Sequence, residues 1–182
     1  MKLGEQYSKF IWMFDLAMDT IFQASSNVVT GGTTNAAVGI LWINPRDTWS
    51  NIDMYEFLVH ELAHTLLYIH EWRFGLFTDL SRLTDKSTYA MSAIRSQMRP
   101  MDKAFHSAIV ATDVLLLREL VLGHKGQREL HPDTNDLLPM ILKSIQSIQE
   151  VNNNKGMLTE HASWLLSECH KKIAKIAYEK IV

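Results

Sequence analysis

The segment VHELAHTLLYIHE, residues 59–71, constrains this chain more than any other. Leu58, Val59, Leu62, Ala63, Leu66, Leu67 and Ile69 leave it apolar nearly all round, so a helix built from it has to be buried. The same segment carries His60, Glu61, His64 and His70. Burying imidazoles and a carboxylate is costly unless they are hydrogen-bonded to partners or bound to a metal.

His60, Glu61 and His64 read as H-E-x-x-H. Histidines four residues apart on a helix are offset by about 40° and one turn, so both rings can grip one ion. Glu61 lies about 100° round from His60, where it can flank the metal as a base or steer a ligand. A third protein ligand decides the chemistry. His70 is the first candidate, because a third histidine six residues on completes the metzincin pattern. That pattern turns the chain at a glycine, and here the position holds Leu67. If the helix continues, His70 points about 240° away from His64.

His106 is better placed, on a second predicted helix, MDKAFHSAIVATDVLLLREL. It shares a face with Val110 and Asp113, and with Asp102 one turn before it. A histidine flanked by carboxylates is a usual arrangement behind a metal. The plain alternative is a surface histidine beside an ordinary charge. Glu119 offers a gluzincin-like carboxylate but projects to the opposite face from His106. His124 and His131 fall in a polar loop, and His161 and His170 on the last helix, where each is expected to be solvated or structural. Met91, Met98 and Met101 read equally well as core or as a methionine below a metal.

The chain's 182 residues suit one domain, residues 1–182, with a sizeable core. A net charge of −2 gives no basic footprint for nucleic acid or an anionic membrane surface. Cys169 is the only cysteine, so an internal disulfide is impossible. The amino terminus lacks a signal-peptide pattern, and no apolar run is long enough to span a membrane. The expectation is a cytoplasmic protein.

Spacing from Tyr7 through Phe10, Phe14 and Met18 to Phe22 predicts a first amphipathic helix. SSNVVTGGTTN reads as a turn or hairpin. Its Gly31–Gly32 pair lacks the G-K-[ST] of a phosphate loop. AVGILWI, residues 37–43, reads as a strand closed by Asn44-Pro45. Asn51 or Asp53 caps the long motif helix towards Phe74. Further helices are expected over 88–98, Met101–Leu122, Asp136–Val151 and Thr159–Ile181. The expected class is mostly α: a zincin-like helical domain with a short strand or hairpin before the H-E-x-x-H helix.

Two stretches, VGILWINP through FLVHELAHTLL and then RSQMRPMDKAFHSAIVATDV, resemble the HExxH-type peptide β-hydroxylases. These are iron- and 2-oxoglutarate-dependent enzymes that modify ribosomally made peptides. The likeness covers roughly residues 36–122, and the second stretch makes it more specific than the motif alone. The resemblance implies that His60, His64 and His106 bind Fe(II), with Arg99, or else Arg95, holding a carboxylate of 2-oxoglutarate. It leaves the role of Glu61 open between metal contact, ligand steering and base. The chain is shorter than the members of that family that it resembles, and three histidines depart from the usual two-histidine, one-carboxylate triad.

The leading expectation is therefore a metalloenzyme, an Fe(II)/2-oxoglutarate oxygenase acting on a peptide. One rival is a zinc metallopeptidase with Glu61 as general base and residues 37–43 as an edge strand aligning an extended substrate. Another is a degenerate H-E-x-x-H domain that binds a leader peptide or partner without activity.

Overall fold

A computed structural model describes residues 3–126 and 128–179. Helix α1 spans Leu3–Ala17 and is followed by three short strands: β1, Thr20–Gln23; β2, Gly31–Gly32; and β3, Ile40–Ile43. Helix α2, Asn51–Phe74, carries the histidine motif. A hairpin of β4, Ala90–Met91, and β5, Met98–Arg99, leads into α3, Met101–Leu117. Helices α4, Thr134–Lys155, and α5, Glu160–Glu179, complete the chain. The fold is mostly α with a small sheet ahead of the motif helix, as the residue pattern predicts.

Two apolar cores explain why α2 is hydrophobic nearly all round. The larger packs Phe105, Val110 and Leu115 of α3 against Ile141, Ile145 and Ile148 of α4 and Ile173 of α5, with Ala63 and Leu67 from α2. The smaller joins Phe57 and Leu62 of α2 to Met18 and Leu41 beneath the sheet. Helix α2 thus feeds apolar side chains into both cores, and its polar residues are carried into the interior with it. Ser50, not Asn51 or Asp53, caps this helix. Its hydroxyl accepts from the Asp53 amide, and Asp53 returns the contact to the Ser50 backbone, a capping box with aspartate in the glutamate position.

The sheet runs β1-β3-β2, with β1 parallel and β2 antiparallel to the central β3. The strand expected over 37–43 is only Ile40–Ile43, because residues 37–39 turn into it; it is flanked by β1 and β2 and is no edge for a peptide to extend. Ile21 and Phe22, expected in the first helix, belong to β1, because the chain leaves the helix after Ala17 to pair with β3. The Tyr7 side chain and Ile181 lie outside the described residues. At Gly31 the backbone has φ 145°, and a Cβ there would stand 2.4 Å from the Phe57 ring. Only glycine lets β2 lie this close to α2.

The helix expected over 88–98 is a hairpin instead. Ser92 and Gln97 close it through the backbone, and Ser96 turns it with φ 49°. Side chains from neighbouring helices replace helical bonds: the Met91 amide donates to Ser147, Ser144 donates to the Met91 carbonyl, and the Ile94 amide donates to Ser107. Helix α3 ends at Leu117 and continues through a π-turn over Arg118–Leu122, closed by Gly123 donating to the Arg118 carbonyl. Among the described residues no helix is long and apolar enough to cross a membrane.

Candidate metal centre

Four imidazoles gather where α2, α3 and the loop before α4 meet. His64 Nδ1 lies 3.1 Å from His106 Nδ1. His60 Nδ1 lies 2.9 Å from His131 Nε2. The His60 and His64 ring centres are 5.0 Å apart, which links the two pairs along one face of α2. Tyr68, one turn further, packs on both His64 and His106. The structure thus brings together His60, His64 and His106, the three histidines singled out from the sequence, and adds His131.

Burial, then the neighbouring His131, His64 and Arg95, holds His60 well below the ordinary histidine range. Burial likewise lowers His64 to about 4, with Lys103 adding to it, and His106 to about 3, with His64 and Lys103 adding to it. All three are therefore neutral near pH 7, each with a lone pair to offer. That donor chemistry fits a divalent metal, and nitrogens about 3 Å apart are spaced as neighbours on an ion with bonds of about 2.1 Å. As the side chains stand they form two hydrogen-bonded pairs. Among the described residues no three His, Cys, Asp or Glu side chains converge as a set to hold an ion.

The other candidate ligands lie elsewhere. His70 Nδ1 pairs with His161 Nε2 at 2.8 Å, beside Phe74 and Trp164. Glu119 pairs with His124 at 2.7 Å. Asp102 does not back His106: one oxygen contacts Lys103 at 3.1 Å, and the other is buried without a hydrogen-bond partner. Asp113, two turns along α3, lines an apolar cavity instead, and burial pushes it up to about 6.

Two cavities open on the histidines. One, of about 180 Å³, is lined by His60, His64, His106, Tyr68, Ile94, Arg95, Arg99, Lys103 and Ser107. The hairpin and the first turn of α3 supply its three cations, Arg95, Arg99 and Lys103. The second, of about 350 Å³, includes His60, His131, Glu61, Phe57, Leu130, Thr30 and Gly31. His60, Ile94 and Arg95 line both. Glu61 faces only the second, where Thr33 donates to its Oε2 at 2.9 Å. Burial raises the Glu61 carboxyl above its usual value, against the opposing effect of Thr33.

His131, expected to be solvated or structural, is only 4% exposed. Its Nδ1 stands 3.1 Å from Glu56 Oε2, one turn before His60 on α2. Arg118 grips Glu56 with two bonds, of 2.7 and 2.9 Å, and Arg128 adds a third of 2.7 Å. Burial alone would push Glu56 up, but hydrogen bonds from His131 and Arg118, with their charge, bring it down to about 2. The described residues of the loop carrying His131 are tied down on both sides. Asp53 accepts from the amides of Glu129 and Leu130, and Arg128 donates to the carbonyls of Gly123, His124 and Gly126. The sequence signal was Glu56 itself, a carboxylate one turn before His60 on a helix that has to be buried.

Comparison with known proteins gave no matching family model and no matching curated protein.

Proposed function

We propose that this chain is a metal-dependent enzyme that hydroxylates a C–H bond of a peptide, using Fe(II), 2-oxoglutarate and dioxygen. The observation that carries the reading is the joint lining of the 180 Å³ cavity, where three neutral imidazoles and three cationic side chains face one space. Neutral imidazoles suit a divalent ion, and guanidinium groups suit the carboxylates of a small dianion.

In this reading His60, His64 and His106 would hold the metal. Arg99 is assigned to one carboxylate of 2-oxoglutarate, with Arg95 as the alternative, and Lys103 adds positive charge to the same lining. When bound, the iron supplies the oxidising chemistry by which 2-oxoglutarate, dioxygen and a C–H group become succinate, carbon dioxide and an alcohol. The protein's part is to orient the dianion, to exclude water with Ile94 and Tyr68, and to keep the three rings unprotonated. Glu61 stands in the second cavity and is free of the dianion's charge. Addition of Fe(II) and 2-oxoglutarate without oxygen is expected to give a weak visible charge-transfer band, lost in His106→Ala.

A second reading, a zinc peptidase, draws on Glu61. Its raised carboxyl beside His60 suits a general base acting on a metal-bound water. Peptide cleavage abolished by Glu61→Gln and indifferent to 2-oxoglutarate would replace the first reading with this one.

A further inference from the structure

Asp113 has no part in the proposed chemistry, and it interrupts a stretch of α3, Ala104 to Leu115, in which every other residue is buried. It is itself partly buried. A carboxylate in an apolar setting is costly unless something bonds to it. The fold meets that cost at Glu56, which takes three hydrogen bonds from arginines and a fourth contact from His131. It does not do so at Asp113, to which no described residue donates a hydrogen bond. Burial pushes this carboxyl up to about 6, against the more distant charge of Lys172 on α5.

Asp113 borders two cavities. One, of about 260 Å³, faces α5 and already has Lys172 and a second carboxylate, Glu168, in its lining. The other, of about 290 Å³, lies between α1, α2 and the end of α3, with Phe10, Tyr55, Val59 and Leu117 in its lining and no cation. Its outer wall follows from the π-turn. Arg118 is drawn inward to Glu56, and the turn beyond it leaves Leu120 and Val121 exposed at the cavity. Such turns often occur at functional sites. Small-molecule pockets share this make-up, a mostly apolar wall with a few fixed polar groups.

We propose that this cavity binds a small primary amine with an apolar body, its ammonium on the Asp113 carboxylate and its body among Phe10, Val59, Leu117 and Leu120. An ammonium brings both the hydrogen bonds and the positive charge that the carboxylate lacks. A neutral apolar molecule would leave the carboxylate bare, and an anion would be repelled. The cavity shares no lining residue with the two that open on the histidines, so the inference stands apart from the metal and from 2-oxoglutarate.

The test uses metal-free, nitrogen-15-labelled protein and three probes of similar shape: 2-phenylethylamine, neutral 2-phenylethanol and anionic phenylacetate. The amine should shift the backbone amides of Leu116, Leu117, Leu120 and Val121 saturably. It should bind about 10- to 100-fold more tightly than the alcohol, the worth of a hydrogen bond to a charged group. Phenylacetate should bind more weakly than either. Asp113→Asn, which keeps the shape, should bring the amine down to the alcohol and leave the alcohol unchanged. Leu120→Trp, which fills the cavity, should exclude both. Amine and alcohol binding alike, an amine indifferent to Asp113→Asn, or no saturable shift at all overturns the proposal. Shifts gathered instead around Arg95, Arg99 and Lys103, or around Glu168 and Lys172, overturn it too. If Asp113→Asn does not fold, the wild-type contrast between amine and alcohol, with the place of the shifts, decides.

Discussion

The two histidine pairs on α2 are built differently. His60–His131 is backed by Glu56, and Glu56 by two buried arginines. Among the described residues no carboxylate is hydrogen-bonded to His64 or His106; their surroundings are Tyr68, Lys103 and the cation-lined cavity. The first pair is held by connection, through hydrogen bonds that run from His60 to a buried, arginine-gripped carboxylate. The second is held by packing and stands open to solvent-sized guests.

The largest expected effect comes from cutting the support of the first pair. Glu56→Ala leaves Arg118 and Arg128 without their carboxylate partner, at a cost of about 3–5 kcal/mol. Urea denaturation followed by tryptophan fluorescence measures it, and a loss under 1 kcal/mol would mean that the network is slack. Acid titration sharpens the point. The Glu56 carboxyl is lowered in the folded state, so its contribution is complete above the unfolded value of 4.5 and disappears as pH falls towards about 2. Wild-type stability should drop across that window, by about 3 kcal/mol from this group. In Glu56→Gln the drop should be smaller.

Breaking the second pair should cost function more than fold. His106→Ala removes a proposed ligand and should weaken cobalt or iron binding by more than the roughly 100-fold expected for a supporting residue. Equilibrium dialysis against metal, with melting curves for folding, separates the two effects. Arg99→Ala should leave metal uptake intact and weaken 2-oxoglutarate binding by about 10- to 100-fold, the loss of a hydrogen bond to a charged group. Calorimetry on the metal-loaded protein reads that difference. The smallest effect is expected from the half-buried His70–His161 pair: His70→Ala should leave stoichiometric metal and 2-oxoglutarate binding unchanged, since His70 bonds His161 away from both cavities.

How far the sequence discloses this arrangement follows the range of the interactions involved. His60 and His64 are legible because a helix repeats every 3.6 residues, and with Leu67 in place of glycine the helix runs on and carries His70 round to His161. His106 is reached by helical phase and by resemblance. The carboxylates expected beside it, Asp102 and Asp113, are turned elsewhere by Lys103 and by an apolar cavity. His131 is hidden because its place depends on a loop whose course is fixed by Asp53, Glu56 and Arg128, contacts that span more than seventy positions. The segment 88–98 has helical composition, yet serines from α3 and α4 bind its backbone as a hairpin. Local preference lost there to tertiary hydrogen bonds, and that hairpin delivers Arg95 and Arg99 to the cavity.

The central claim is that the three imidazoles and the cationic wall serve one centre. Its most direct test is the absorption spectrum of the protein with Fe(II) and 2-oxoglutarate, recorded without oxygen, for wild type, His106→Ala and Arg99→Ala. The account predicts a weak visible charge-transfer band in the wild type and none in His106→Ala. In Arg99→Ala the band should appear only at higher 2-oxoglutarate. A folded wild-type protein that binds zinc tightly and gives no band with iron and 2-oxoglutarate would contradict it.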